Sequence, residues 1–145
     1  FIELAGEINT NMPHYVVQRL EAGLAKQDKN LESSEILLIG IAYKKNIDDM
    51  RESPALVLIE ILEQAGAKVA FHDPHVPIIP MTREHSELAG RKSSDLAVAS
   101  SVDAVLIVTD HDEIDYEFLA AEAPLIIDTR NAMRNIRDRH NIVKA

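Results

Sequence analysis

The sequence predicts an α/β protein with a doubly wound parallel sheet, preceded by an N-terminal helix. Short apolar runs rich in β-branched residues occur at residues 36–42, 69–72 and 105–109. Segments with helical spacing of apolar residues separate these runs. Strands that are apolar throughout and that alternate with helices are typical of a parallel sheet covered by helices on both faces.

Composition sets the broad class of the protein. The chain has 145 residues, and 15 Lys and Arg against 24 Asp and Glu give a net charge of −9. This length suits one compact domain with an appended element. The negative charge, with no basic stripe, argues against nucleic-acid binding. The absence of cysteine excludes disulfides, thiolate metal sites and a cysteine nucleophile within these residues.

The first 26 residues have the spacing of a helix. Apolar residues recur at every fourth position, at Leu4, Ile8, Met12, Val16, Leu20 and Leu24. Pro13 interrupts this pattern, so we expect a kink or two helices that meet near residues 11–13. The polar stretch 27–34 is predicted to be a loop. Because the helix has an apolar stripe, it should pack outside the sheet or against a partner.

Strands and helices then alternate to the end of the chain. After the first strand, Ser53 and Pro54 mark a helix start and Gly66 its end. The second strand ends at Asp73-Pro74. Five further elements follow in the sequence. They are a short helix at 96–100, a third strand, a helix at 116–121, a fourth strand at 125–128 and an edge strand near 142–143. We expect the sheet order second, first, third, fourth.

The ligand edge of such a sheet lies beyond the carboxyl ends of the strands, at the switch point between the first and third strands. The first loop there contains Tyr43, Lys44, Lys45 and Arg51, just before the Ser53 helix start. Arg130, after the fourth strand, should face the same crevice. Helix N-termini and basic side chains attract anions, so an anion site is predicted. The alternative is that the lysines are solvated and Arg51 pairs with a nearby aspartate.

Other chemistries fit the sequence less well. Only Gly40 stands where a dinucleotide-binding turn needs three glycines, and Asp73 is better explained as a turn former than as a ribose contact. His72, His75 and His111 favour structural or solvent-facing roles, and no metal site is predicted. A phosphoacceptor receiver domain is disfavoured because the paired acids, Asp48 and Asp49, follow the first strand too distantly.

One block of residues resembles a known family. The run G-I-A-Y-K-K-N-I-D-D-M-R-E-S-P-A at 40–55 resembles the signature of the C-terminal, Rossmann-like domain of the nucleotide-sugar 6-dehydrogenases, the UDP-glucose/GDP-mannose dehydrogenase family. Residues 65–67 with 72–74, 109–111 and 128–131 resemble later segments of that domain. Residues 1–26 resemble the end of its central helical region.

The resemblance implies a function. The family oxidises the C6 alcohol of a nucleotide sugar to a carboxylate with two NAD⁺, through a thioester on a cysteine. By this resemblance, Tyr43, Lys44 and Arg130 would contact the nucleotide sugar, and Arg51 would contact NAD. No residue of this chain is assigned a catalytic role, since the cysteine and the glycine-rich turn are absent. NAD would be bound mainly by another domain, and the chain alone should be inactive.

The resemblance also implies an organisation. Residues 1–30 would be the end of the central helical and dimerisation region, and residues 31–145 the nucleotide-sugar-binding domain. The implied partners are a UDP-sugar, NAD and a second copy of the enzyme. A UDP-N-acetylhexosamine is the expected substrate; a UDP-glucose enzyme and a stand-alone interaction module are the alternatives. Since Phe1 is no initiator methionine and no signal peptide is seen, we expect a segment of a longer, cytoplasmic protein.

Overall fold

The core of the fold is a five-stranded sheet in which every strand pair is parallel. A computed structural model describes residues 2–44, 46, 53–82 and 85–145, with side chains from residue 13 onward. The strands are β1 (Glu35–Ile39), β2 (Lys68–His72), β3 (Ala104–Ile107), β4 (Ile126–Asp128) and β5 (Ile142–Lys144), in the order β2-β1-β3-β4-β5. The predicted fold class, sheet order and edge strand are confirmed.

In the part of the chain that the structure describes, three α-helices and two short 3₁₀ helices surround the sheet. They are α1 (Ile2–Ala25), α2 (Pro54–Gln64), α3 (Tyr116–Glu122) and the 3₁₀ helices Ser86–Leu88 and Leu96–Ser100. The predicted start of α2 is confirmed, because the Ser53 side chain accepts a hydrogen bond from the Ala55 N–H at 3.2 Å. Asp115 caps α3 in the same way through the Phe118 N–H.

Helix α1 runs unbroken through Pro13, so the expectation of two separate helices is wrong. A proline removes one helical hydrogen bond, but burial further along the helix offsets that loss. Val16, Leu20 and Leu24 are at most 1% exposed and pack into the core against the sheet. The helix therefore packs outside the sheet, which is one of the two arrangements expected from its apolar stripe. The division of the chain into two regions at residue 30 stays a prediction.

Alternate residues of each strand bury against opposite layers. In β1, Ile36 and Leu38 face the layer formed by α1 and α2. Leu37 and Ile39 face the layer formed by α3 and the Leu96–Ser100 helix. All four side chains are fully buried, which is why β1 is apolar at successive positions and not only at alternate ones. Helices on both faces make the sheet doubly wound. No helix among the described residues has the length and apolarity needed to cross a membrane.

Candidate functional site

The carboxyl ends of β1 and β3 approach each other at the ligand edge. Gly40 follows β1 with a positive φ of 81°, and its N–H donates to the carbonyl of His72 at 2.9 Å. The Thr109 hydroxyl, beyond β3, donates to the carbonyl of Ala42 at 2.7 Å. The backbone that leads into Tyr43 and Lys44 is thereby fixed to both neighbouring strands.

Asp73, at the end of β2, organises this edge. Its side chain is buried, and its two oxygens accept from five donors at 2.8 to 3.2 Å: the N–H groups of Ile41, Ala42, His75 and Val76, and Nε2 of His111. The bonds from His75 and Val76 form the turn after β2, so the predicted turn-forming role of Asp73 is confirmed. The other three bonds, to the segments that follow β1 and β3, were not predicted.

Tyr43 and Lys44 lie where the sequence places them, in the loop that follows β1. Both are exposed, Tyr43 by 44%, and the Lys44 ammonium lies 5.8 Å from the centre of the Tyr43 ring. That distance is within the range of a cation–π contact, which favours a shared orientation of the two side chains. Lys45 and Arg51, the other basic residues predicted for this loop, lie outside the described residues.

Arg130 lies on the next loop along the edge, after β4. Its Nε donates to the carbonyl of Val108 at 2.8 Å, and its N–H donates to the carboxylate of Asp128 at 3.0 Å. The buried Asp128 side chain also accepts from the N–H groups of Ala132 and Met133, which fixes the loop. With Nε anchored, the exposed end of the guanidinium is left to face solvent at this edge.

Lys44 and Arg130 thus flank one short segment beyond β3. The Val108 carbonyl accepts a hydrogen bond from Arg130 Nε, and the hydroxyl of the adjacent Thr109 donates to the carbonyl of Ala42, which precedes Tyr43. The capped N-terminus of α2 reaches the same place, because the Ser53 hydroxyl lies 3.5 Å from the Ala42 carbonyl. Two cations and a helix N-terminus at one edge form a site suited to a phosphate-bearing ligand.

Tyr116 supports the loop that follows β3. Its hydroxyl donates to the carbonyl of His111 at 2.8 Å. Burial is the main cause that raises the pKa of Tyr116 well above its usual range, and the nearby carboxylates of Asp110, Asp112 and Asp128 add to the effect. The hydroxyl is therefore protonated at neutral pH and can donate to that carbonyl.

The histidines at this edge serve the structure. His75, His111 and Glu113 bring potential metal-ligand atoms within 4.8 Å of one another. However, His111 already bonds Asp73 through Nε2 and the Asn46 N–H through Nδ1, and His75 Nε2 lies 3.0 Å from Glu113, which lowers the pKa of Glu113. Both ring nitrogens of the buried His111 are therefore taken by protein partners, so His111 does not fit the role of a metal ligand.

The turn after β1 does not fit the pyrophosphate of a dinucleotide. Such a turn offers free backbone N–H groups to the phosphates. Here the N–H groups of Ile41 and Ala42 both donate to Asp73. The space beside Gly40 is filled by Thr109, whose carbonyl oxygen would lie 2.3 Å from a Cβ on that glycine. No step of cofactor chemistry is therefore assigned to this turn.

The sequence alone did not predict the buried hydrogen bonds that join the loops at this edge of the sheet. Asn46 and His111 join loops that are 65 positions apart in the chain. The one local signal was Asn46 itself, since asparagine is enriched at left-handed positions and its φ is 63°. Which side chain pairs with a buried histidine cannot be read from one sequence.

Comparison with known proteins agrees with this geometry. Residues 37–135 match the UDP binding domain of the UDP-glucose/GDP-mannose dehydrogenase family. The UDP-N-acetyl-D-mannosamine dehydrogenase of Methanococcus vannielii is 31% identical over 152 aligned residues, covering 99% of this chain and 32% of that protein. The UDP-glucose 6-dehydrogenase of Rhizobium meliloti is 28% identical, covering 92% of this chain and 30% of that protein.

A solved structure extends the likeness to three dimensions. The UDP-D-ManNAc dehydrogenase of Pyrococcus horikoshii superposes with a TM-score of 0.78 at 28% identity, over 99% of this chain and 32% of that one. The chain thus spans about a third of the length of the relatives it matches. The family match covers most of β1, all of β2, β3 and β4, both loops that carry the cations and the buried network between them. This chain belongs to the UDP-glucose/GDP-mannose dehydrogenase family, within its UDP-binding domain.

Proposed function

We propose that this chain is the nucleotide-sugar-binding domain of an NAD-dependent UDP-sugar 6-dehydrogenase. The observation that supports this most directly is the placement of Lys44 and Arg130 on either side of residues 108–109, at the ligand edge of a domain whose family binds UDP. In a protein of charge −9, two cations held at that edge favour an anionic ligand over a neutral one.

Each side chain has a defined part in this proposal. The Lys44 ammonium bonds a phosphate oxygen of the nucleotide, and the Tyr43 ring beside it restricts where that ammonium can point. Arg130 offers the outer nitrogens of its guanidinium to the ligand, because Nε is held by Val108. A guanidinium can donate two parallel hydrogen bonds to one anionic group, which fixes direction as well as charge.

The proposed substrate is a UDP-N-acetylhexosamine, oxidised at C6 to the uronic acid. Relatives at 30–31% identity are named UDP-N-acetyl-D-mannosamine dehydrogenases and an NDP-N-acetyl-D-galactosaminuronic acid dehydrogenase. UDP-glucose is the second candidate, supported by the relative from Rhizobium meliloti. Both sugars carry the same UDP group, so the site at Lys44 and Arg130 serves either.

The proposed part of this domain is binding, not hydride transfer. Two oxidations by NAD⁺ through a thioester require a cysteine nucleophile, and these 145 residues contain none. We assign NAD mainly to another domain of the enzyme, with Arg51 as a contact from this one. We further propose a cytoplasmic homodimer in which residues 1–30 belong to the central helical region and residues 31–145 to the nucleotide-sugar-binding domain.

A UDP titration followed by ¹H–¹⁵N NMR tests the binding role. Half of a pocket should bind UDP at millimolar concentration or more weakly, because association carries its full entropic cost. Shifts should centre on Tyr43, Lys44 and Arg130, and Lys44→Ala should remove them. Lys68→Ala, which deletes an equal charge at the opposite end of β2, is the matched control. Absence of UDP-dependent shifts would instead favour an interaction module.

A further inference from the structure

Asn46 closes the loop that carries Tyr43 and Lys44. Its N–H donates to Nδ1 of His111 at 2.7 Å, and its side-chain amide donates to Asp112 Oδ2 at 2.7 Å. The N–H of Asp112 returns a bond to Oδ1 of Asn46 at 2.9 Å. We refer to these three hydrogen bonds, which join Asn46 to His111 and Asp112, as the Asn46 clasp.

The hydrogen bonds fix the protonation of His111. A backbone N–H can only donate, so Nδ1 of His111 must accept from Asn46 and must carry no proton. Nε2, 3.0 Å from Asp73 Oδ2, therefore carries the proton and donates it to that carboxylate. The ring is neutral and fully buried, and the Tyr116 hydroxyl holds its backbone carbonyl.

One carboxylate therefore holds the chain on both sides of Tyr43 and Lys44. Asp73 binds the N–H groups of Ile41 and Ala42 at the beginning of the loop. Through His111 it also holds Asn46 at the far side. Tyr43 and Lys44 lie between these two anchors and are exposed.

We propose that Asn46 and His111 are positioning residues for the nucleotide, which they orient through Tyr43 and Lys44 without touching it. This inference rests on the proposed function of the site. An exposed lysine on an unrestrained loop loses conformational entropy when it binds a phosphate. A lysine whose backbone is anchored on both sides has already lost backbone freedom before the ligand arrives, so more of the contact energy remains for binding.

The side chain of Asn46 can be removed without changing the backbone. Asn46→Gly keeps the N–H and tolerates the positive φ, but it deletes both bonds to Asp112. In the 145-residue chain titrated with UDP, we expect roughly tenfold weaker binding than in wild type. Ile126→Val, which removes one buried methylene from β4 and leaves the clasp intact, should bind UDP as wild type does.

Variants of His111 separate positioning from folding. His111→Asn retains an acceptor near the place of Nδ1, whereas His111→Ala removes it; UDP affinity should fall further in the alanine variant and be partly restored in the asparagine variant. Two-bond ¹H–¹⁵N spectra of wild type should show a protonated Nε2 and a bare Nδ1 on His111. A protonated Nδ1 in the folded protein at neutral pH would contradict the clasp.

The outcomes distinguish this inference from the function on which it rests. If wild type and Asn46→Gly bind UDP equally, the positioning role is wrong while the UDP site stands. If wild type shows no UDP-dependent shift at Tyr43, Lys44 and Arg130, the proposed function itself fails, and the positioning role fails with it. Weaker binding by Asn46→Gly, with Ile126→Val unaffected, supports both.

Discussion

Gly40 and Thr109 approach so closely that a Cβ on the glycine would lie 2.3 Å from the threonine's carbonyl oxygen. The φ of Gly40 is also positive, at 81°. Gly40→Ala should therefore lower the free energy of unfolding by about 3 kcal/mol, from left-handed backbone strain and steric overlap together. Urea unfolding measures this loss. Gly90→Ala has a similar φ but open space around it, so its loss should be clearly smaller.

Removing the Lys44 ammonium should weaken substrate binding in the full-length dehydrogenase that we propose. One charge-assisted contact contributes roughly 1.5–3 kcal/mol, so Lys44→Ala should raise the dissociation constant of the UDP-sugar by roughly 10- to 150-fold. Equilibrium titration with the UDP-sugar measures it, and Lys68→Ala should leave it unchanged. An unaltered constant in Lys44→Ala would show that Lys44 does not contact the nucleotide. Arg51→Ala should act mainly on the affinity for NAD.

Neutralising Asp73 should damage both the fold and the site. An amide has one acceptor oxygen in place of two, and its NH₂ group would face backbone donors in a buried position. We expect Asp73→Asn to cost about 3 kcal/mol of unfolding free energy and to abolish UDP-dependent shifts at Tyr43. Asp95→Asn is the matched control, because asparagine can cap the Leu96–Ser100 helix as well as aspartate does. A fully stable Asp73→Asn variant would contradict the role given to this carboxylate.

The pair formed by Lys29 and Asp103 should make stability depend on pH. Lys29 Nζ lies 2.7 Å from Asp103, and this bond, with a second from the Glu35 N–H, lowers the pKa of Asp103. Its contribution is therefore complete above the unfolded pKa of about 3.9 and is lost as the pH falls through the lower folded value. Asp103→Asn should cost about 1 kcal/mol at pH 7 and much less near pH 2.

Urea unfolding at pH 7, 4.5 and 2 checks this dependence. Lys29→Met, alone and combined with Asp103→Asn, gives the coupling energy of the pair. A difference between wild type and Asp103→Asn that stays constant down to pH 2 would exclude the ion pair as its cause.

The 145-residue chain should form no NADH by itself. Mixed with NAD⁺ and UDP-N-acetylglucosamine, it has no cysteine to form a thiohemiacetal, and the N–H groups of Ile41 and Ala42 in its β1 turn already donate to Asp73. Absorbance at the NADH band should match that of a protein-free control. Protein-dependent NADH formation would show that this domain performs chemistry as well as binding.

Much of the fold could be predicted because strands that are buried on both faces appear in the sequence as short, continuous apolar runs. Residues 36–39 are apolar at every position, which only burial on both faces explains, and the Ser53-Pro54 pair marks a helix start through local chemistry alone. The continuity of α1 through Pro13 could not be predicted, since the burial of Leu20 and Leu24 that offsets the proline depends on a distant sheet.

The candidate site divides in the same way. Lys44 and Arg130 could be predicted to lie at one edge, because the carboxyl ends of parallel strands share it. That Asn46 would bond His111, and His111 would bond Asp73, depends on side-chain geometry across 65 and 38 positions. Arg51 stays a prediction, as it lies outside the described residues.

The residues proposed to contact the ligand are exposed, whereas the residues that hold their loops are buried, and this difference has a consequence for redesign. Tyr43, Lys44 and Arg130 are all exposed, and none of them belongs to the hydrophobic core. Their identities can therefore be varied in a combinatorial library with little risk to folding, while Gly40, Asp73 and His111 are held constant. Selection from such a library would change the ligand preference of the edge on an unaltered scaffold.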